Sequence, residues 1–419
     1  MMKLSAYLLA GSVALSASAA FAADTTVEFW HSFSDTSANG AALAEIIDNF
    51  EAANPGITID SQFIGNYNDI VAKLQAAIPA RRAPDAVIME VTRYGLFADR
   101  GVLDDLSDRL ANDPLADNLF DFAREVGVYE GKNYIVPFNS STPVLYLNKA
   151  VFDAAGFEEE PKLETYDDIL AAAQQITDSL GDEGIMGMTA PGQFARWGLI
   201  MSNDSDLIDS KTGEILIDAP NTVDAYEWMA SLVNDYKVAS PDGVTDEKKD
   251  KQFFMSGNAG MMMNSTGNYG DAKEALGDDL LVRPMPCNKT CAVPIGGAGI
   301  GILSSAEPEV KDAAYKFISF AASPESNAIW FAGTGYMPIN RHTAEQPRAA
   351  EALANAEGID VAINQLDFAR GRPRPVVVTW MRANEYDVWQ SIALGQRSAE
   401  EALSDFAERT RQEAQRLSN

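Results

Sequence analysis

Residues 137–149 read PFNSSTPVLYLNK, a polar run followed at once by an apolar one. The polar half is expected to be extended, and the apolar half, VLYL at 144–147, is typical of a buried strand. A polar segment that leads directly into a strand predicts that the chain crosses here from one lobe of the protein to another.

Upstream of this crossing, strand and helix patterns alternate. Residues 26–30 predict a strand, a helical spacing of apolar residues covers 43–50, and residues 57–59 predict a second strand. A further helical pattern covers 70–78, and the apolar run at 86–89 predicts a buried parallel strand. This alternation predicts an α/β fold with a mostly parallel sheet.

Downstream of the crossing, helical patterns dominate. Residues 167–180 predict a helix, and the methionine-rich stretch 261–268 (MMMNSTGN) is expected to be flexible. A strong helical pattern spans 310–331 and is interrupted at 334–336. The amphipathic segment 399–417 predicts a C-terminal helix.

The charge balance excludes several classes of function. The chain has 61 acidic and 32 basic residues, a net charge of −29, and only two histidines, His31 and His342. Such a negative field repels nucleic acid and anionic lipid. A metal site built from several histidines is excluded, and we expect neither a metal nor a cofactor.

The N-terminus predicts export. Lys3 precedes the uncharged run 4–23, which includes the small-x-small pattern Ala-Phe-Ala at 20–22. Residues 1–22 are therefore a predicted signal peptide. No cysteine lies at the junction, so we expect a freely diffusible periplasmic protein that is not a lipoprotein.

The two cysteines, Cys287 and Cys291, lie close together in PCNKTCA. Two thiols without nearby histidines fall short of a zinc site. In an oxidising compartment a local disulfide is expected, which would staple a loop.

Three features could contact a ligand. Glu90 follows a predicted strand, where α/β folds place ligand groups. The glycine-rich run 295–301 does not match a dinucleotide motif and better suits close approach of a ligand to the backbone. Arg382 could be an anion clamp, or it could form a structural ion pair with Glu385, Asp387 or an acid distant in sequence.

These segments resemble the periplasmic glycerol-3-phosphate-binding proteins of Ugp-type ABC importers, a family within the maltose-binding-protein-like group of solute-binding proteins. The matching stretches extend over nearly the whole mature chain, and they are FWHS at 29–32, GNY at 65–67, 137–148, GGA at 296–298 and TGYMPI at 334–339.

The resemblance implies a two-lobed periplasmic solute-binding protein fold, with three crossings between the lobes and a ligand cleft between them. The N-terminal lobe would hold residues 24–139 and 298–334. The C-terminal lobe would hold residues 140–297 and 335–419. The protein would be a monomer that delivers a small molecule to an inner-membrane ABC permease, and it would not be an enzyme.

The family's ligand residues are carried over position by position. Arg382 would bind a phosphate, and Glu90 would accept hydrogen bonds from glycerol hydroxyls. Arg370, Arg372 and Arg374 are the substitutes if Arg382 is misplaced. The full implied set is Tyr67, Glu90, Ser141, Ser265, Gly297, Tyr336 and Arg382.

One position departs from the family. Its tryptophan, which packs on the ligand in some members, aligns with Tyr166, which is expected as a further ligand contact. The smaller ring could make room for a headgroup on the phosphate, so the ligand is glycerol 3-phosphate or a glycerophosphodiester such as glycerophosphocholine. The alternatives are an oligosaccharide receptor of the same fold and an exported phosphodiesterase.

Overall fold

The structure is a computed structural model that describes residues 25–417, so the predicted signal peptide (residues 1–22) lies outside the described residues. Within this range the strands are, in chain order, β1 Thr25–His31, β2 Ile57–Phe63, β3 Ala86–Glu90, β4 Val128–Tyr129, β5 Lys132–Asn133, β6 Val136–Ser141, β7 Pro143–Asn148, β8 Met186–Met188, β9 Ala259–Ser265, β10 Leu280–Arg283, β11 Val293–Pro294, β12 Gly296–Ile302 and β13 Ala369–Arg370.

The α-helices of the same range are α1 Ala38–Ala53, α2 Tyr67–Ala77, α3 Gly95–Asp99, α4 Ser107–Ala111, α5 Leu115–Asn118, α6 Asp121–Val126, α7 Lys149–Ala154, α8 Tyr166–Leu180, α9 Gln193–Ser202, α10 Pro220–Asn234, α11 Pro241–Thr245, α12 Glu247–Met255, α13 Tyr269–Leu276, α14 Pro308–Ala321, α15 Pro324–Thr334, α16 Pro347–Asn355, α17 Val361–Asn364, α18 Val377–Ala393 and α19 Ala399–Leu417. None of them combines the length and the apolar composition that crossing a membrane requires.

The first lobe is built on a five-stranded sheet of order β2-β1-β3-β12-β6. Strand β1 pairs in parallel with β2 and β3, whereas β12 pairs antiparallel with β3 and β6. Helices α1, α2 and α14 pack their apolar faces against this sheet in one core. The predicted N-terminal strands and helices are confirmed. The prediction of a mostly parallel sheet was wrong, because β12 runs antiparallel to both of its neighbours, β3 and β6.

The second lobe is built on a four-stranded sheet of order β10-β7-β9-β8. Its centre includes the methionine-rich stretch, because β9 pairs with both β7 and β8 and Met261, Met262 and Met263 are fully buried. The expectation of flexibility at 261–268 was wrong. Unbranched methionine side chains instead fill the core on both faces of this strand.

The chain crosses between the two sheets at Thr142, since β6 ends at Ser141 and β7 begins at Pro143. The quoted stretch 137–149 therefore passes from one lobe to the other. The predicted lobe boundaries at 139/140, 297/298 and 334/335 fall inside β6, inside β12 and at the end of α15.

The helical pattern at 310–331 forms two helices rather than one. Helix α14 ends at Ala321, and Ser323 caps α15 by accepting a hydrogen bond from the backbone of Ser326. Pro324 stands at the first turn of α15, where its missing N–H costs nothing. The break turns α15, which places Trp330 in the first-lobe core and Phe331 against the second sheet.

The disulfide loop follows β10. Cys287 and Cys291 are joined, and two backbone hydrogen bonds hold the loop to the segment just before α8 and to the end of α9. Cys287 N donates to Glu164 O at 2.8 Å, and Thr290 N donates to Ser202 O at 3.0 Å.

Candidate functional site

A cavity of about 270 Å³ lies between the two lobes. It is lined by all seven residues of the implied ligand set, Tyr67, Glu90, Ser141, Ser265, Gly297, Tyr336 and Arg382. The remaining lining residues are Ser32, Phe33, Asn39, Asn66, Phe194, Glu247, Lys251, Asn264, Gly267, Asn268, Gly296 and Arg372. The structure brings the seven together, and their role as ligand contacts stays a prediction.

The first lobe presents Tyr67 and Glu90. Tyr67 is the first residue of α2, whose start is fixed by a capping box between Asn66 and Asp69. Glu90 is the last residue of β3 and points into the cavity beyond the end of the sheet.

The crossing segments form the floor of the cavity. Ser141 on β6 pairs with Gly296 on β12, and the next residue, Gly297, has φ +122°. A Cβ at Gly297 would lie 2.2 Å from the carbonyl oxygen of Asn139, so only glycine fits. The ring of Tyr336 lies against Gly267, where a Cβ would come within 2.2 Å of it.

Arg382 on α18 is a buried cation that faces the cavity. Its guanidinium lies 5.4 Å from the centre of the Trp197 ring, and its buried Nε has no hydrogen-bond partner among the described residues. Burial, reinforced by repulsion from Arg93, lowers its pKa to about 9, so the group is still protonated at neutral pH.

Glu385 does not neutralise Arg382. Arg196 donates to both carboxylate oxygens of Glu385, from Nε at 2.9 Å and Nη2 at 2.8 Å, and the Tyr226 hydroxyl donates at 2.7 Å. Within residues 25–417 Arg382 has no ion pair shorter than 4.0 Å. The arrangement favours the anion clamp over the structural ion pair.

Arg372 is a second guanidinium at the cavity, in addition to Arg382 rather than as its substitute. Its Nη2 contacts the Glu90 carboxylate, and its Nε donates to Ile295 O at 3.0 Å. The guanidinium lies 5.0 Å from the ring of Phe194. The other two substitute arginines lie elsewhere: Arg370 is exposed in β13, and Arg374 does not line the cavity.

Glu90 is already engaged. Besides Arg372, its carboxylate accepts from the backbone N–H of Thr92 at 3.1 Å and from the Thr92 hydroxyl, and Arg93 Nε lies 3.5 Å away. Burial alone would raise the pKa of Glu90, but Arg372, Arg382 and Arg93 outweigh it and lower the pKa to about 2. In the structure the Glu90 carboxylate holds Arg372, and the expectation that it also accepts from glycerol hydroxyls stays a prediction.

Several buried polar atoms at the cavity lack a partner in the described part of the chain. Most are donors, and they are Ser32 Oγ, Asn39 Oδ1, Tyr67 OH, Arg372 Nη1 and Arg382 Nε. Burial raises the pKa of Tyr67 well above its usual value and that of Tyr336 to about 12, so both phenols keep their protons. Unsatisfied buried groups are costly, and a ligand rich in oxygen acceptors would satisfy them.

Tyr166 does not lie at this cavity, which corrects its expected role. It is buried in the second-lobe core, where its hydroxyl donates to Leu199 O at 2.6 Å and its ring stacks on Trp228 at 4.0 Å. The aromatic residue that the second lobe places at the cavity is Phe194 on α9.

Two charged residues of the cavity were missed from the sequence. Glu247 and Lys251 lie one helical turn apart on α12, so they share one face. The surrounding EKKDKQ sequence has the composition of any solvent-exposed helix, and no local pattern distinguishes it. Counting the lining residues gives three cations (Lys251, Arg372, Arg382) and two carboxylates (Glu90, Glu247), a net +1 in a chain of net −29.

Two α/β lobes that enclose a small, donor-rich cavity define a protein that binds a solute between its lobes. The chain belongs to the bacterial extracellular solute-binding protein family, whose sequence profile matches residues 45–357. The predicted fold class and resemblance are thereby confirmed.

Individual relatives and structures agree on the class. The chain is 26% identical to the sn-glycerol-3-phosphate-binding periplasmic protein UgpB of Escherichia coli K12, over 93% of this chain and 92% of that one. An ABC substrate-binding protein of Listeria monocytogenes in complex with cycloalternan has a TM-score of 0.83 and 24% identity, with 93% of this chain and 98% of that chain covered. UgpB of Mycobacterium tuberculosis in complex with glycerophosphocholine has a TM-score of 0.81 and 22% identity, covering 94% and 99%.

Proposed function

We propose that this protein is the periplasmic substrate-binding component of an ABC importer and that its ligand is a small organophosphate, glycerol 3-phosphate or a glycerophosphodiester. The protein would deliver this ligand to the inner-membrane permease. The observation that carries the proposal is the pair of buried guanidiniums, Arg372 and Arg382, which line the cavity of an acidic protein and each retain an unsatisfied N–H group.

Phosphate chemistry suits this arrangement. Guanidinium groups donate forked, charge-assisted hydrogen bonds to phosphate oxygens. Neutral donors from Tyr67, Tyr336 and Ser141 lie around the same cavity and could bind the remaining oxygens. The 26% identity to glycerol-3-phosphate-binding proteins supports the same ligand class.

An oligosaccharide ligand is the second candidate, because the fold alone does not choose between sugars and phosphates. The likeness to the cycloalternan-bound Listeria protein illustrates this. Two features disfavour a sugar here. The cavity, about 270 Å³, is smaller than the roughly 300–1,000 Å³ of pockets for drug-sized ligands, and two of its unpaired buried groups, on Arg372 and Arg382, are cationic.

Arg382→Ala tests the proposal. Calorimetry with the mature protein should give saturable binding of glycerol 3-phosphate, and the variant should lose at least about 2–3 kcal/mol of binding free energy, because the buried phosphate would lose one of its two guanidinium partners. Arg370→Ala is the matched control, since it removes the same charge from an exposed site outside the cavity.

Maltose and cycloalternan belong in the same titration series. Tight binding of either sugar by wild type, with no heat from any glycerol phosphate, would overturn the phosphate assignment. Unchanged affinity in Arg382→Ala would mean that the ligand binds elsewhere. Release of a protein that begins at Ala23 by osmotic shock would test the periplasmic location separately.

A further inference from the structure

Lys251 is a cation at the cavity for which the described residues provide no ion pair or hydrogen bond. It lies on α12 and lines the cavity with Glu247, and within residues 25–417 its ammonium forms neither an ion pair nor a hydrogen bond. The side chain is partly buried, and burial lowers its pKa. An ammonium held in this position without a direct ion pair is suited to contact a ligand group.

The nearest carboxylates have other partners. Glu247 accepts a hydrogen bond from the backbone N–H of Gln193, and Asp271 accepts one from Ala38 N at 2.7 Å. Of the two, only Glu247 lines the cavity. Lys251 therefore presents its positive charge to whatever occupies this side of the cavity.

Lys251 and Arg382 line the cavity from different helices, α12 and α18. The charges that act on Lys251 are Glu247, Asp271 and the exposed Lys248. Those that act on Arg382 are Arg93, Glu90, Arg372 and Glu385. A ligand whose phosphate is bound by the arginines would meet Lys251 with another of its groups.

We propose that Lys251 is a specificity-determining residue that disfavours phosphodiesters with a cationic headgroup. This inference rests on the proposed function. Its ammonium repels a quaternary ammonium at the same end of the cavity, whereas hydroxyl or anionic groups accept its hydrogen bonds. The protein accordingly prefers glycerol 3-phosphate and neutral-headed diesters to choline-type diesters.

The test compares two ligands that differ only in charge. One is glycerophosphocholine, and the other is its neutral isostere, the 3,3-dimethylbutyl ester, in which a carbon replaces the ammonium nitrogen. Wild type should bind the isostere about tenfold more tightly, the factor expected for one close charge contact. Lys251→Gln and Lys251→Met should remove most of this difference, and Lys251→Arg should keep it.

Lys248→Gln is the matched control, because Lys248 is exposed on the same helix and should leave the difference unchanged. All variants are also titrated with glycerol 3-phosphate, and thermal unfolding shows that each is folded. A wild type that binds both diesters equally, or a difference that persists in both neutral variants, would overturn the role of Lys251 while leaving the proposed function standing. If none of the three phosphate compounds binds to the wild type, the proposed function is overturned instead.

Discussion

At the scale of single residues, the helix that carries Lys251 also holds an unusual acid on its buried side. Asp250 is 4% exposed, its Oδ1 has no hydrogen-bond partner in the described chain, and it lies directly against Gly243. Burial, reinforced by repulsion from Glu247, raises its pKa from 3.8 to about 8. The folded protein therefore holds Asp250 protonated at neutral pH.

This predicts a stability that depends on pH. Below pH 4 the carboxyl is protonated in both states, but between pH 4 and 8 only the unfolded chain ionises freely, so folding becomes less favourable as pH rises. Asp250→Asn cannot ionise and should be more stable than wild type by on the order of 2 kcal/mol at pH 8 and equal to it near pH 4. Denaturant unfolding at pH 4, 6 and 8 measures this.

The exposed Asp242→Asn serves as the control and should show no such trend. If Asp250→Asn raises the free energy of unfolding by the same amount at all three pH values, then packing, rather than ionisation, is responsible.

At the scale of elements, β12 lies between β3 and β6 in the first sheet and carries the glycine-rich run. Its register with β6 shifts between Ala298 and Gly299, directly after Gly297. The positive φ of Gly297 and its approach to Asn139 O leave no room for a side chain. The floor of the cavity and the pairing of β12 with β6 therefore both depend on the backbone conformation at Gly297.

Gly297→Ala should lower the free energy of unfolding by more than about 2 kcal/mol, because the Cβ forces the backbone of β12 away from β6. Gly371→Ala is the control, since a Cβ there meets no atom within 4 Å, and it should change stability by less than about 0.5 kcal/mol. Chemical denaturation compares them. If the two substitutions lower the free energy of unfolding equally, the close approach of residue 297 to the carbonyl oxygen of Asn139 does not govern stability.

At the scale of the whole molecule, direct hydrogen bonds between the lobes hold them together. Arg374 Nη1 donates to Glu125 O at 2.7 Å, and Asn39 Nδ2 donates to Gly267 O at 3.2 Å. Each joins an element of the first lobe to one of the second. The conformation described here is therefore supported by bonds that no ligand needs to supply.

Arg374→Ala should shift the population toward separated lobes without touching the cavity. Because binding needs the closed arrangement, ligand affinity should fall by roughly two- to fivefold, the worth of one exposed charged contact. Small-angle scattering of the ligand-free variant should give a larger radius of gyration than wild type. Arg370→Ala, in the same segment but exposed in β13, should alter neither quantity. An unchanged radius together with unchanged affinity would show that this contact does not govern closure.

The sequence by itself determined the elements and the class of protein. Spacing of apolar residues predicted β1, α1 and α19, because helix and strand periods are local properties of the chain. The spacing of apolar residues did not predict the break before α15 or the burial of β9, because both depend on which neighbours pack against these segments.

Only the tertiary structure decided the charges of the cavity. Arg372 and Glu90 are 282 residues apart, and nothing in either local sequence predicts that they meet. The same holds for Lys251, which joins the cavity from an ordinary charged helix, and for Tyr166, which packs into a core instead. The physical reason is that a cavity between two lobes is formed by their approach to each other. That approach is set by packing over the whole chain rather than by the periodicity of any one segment.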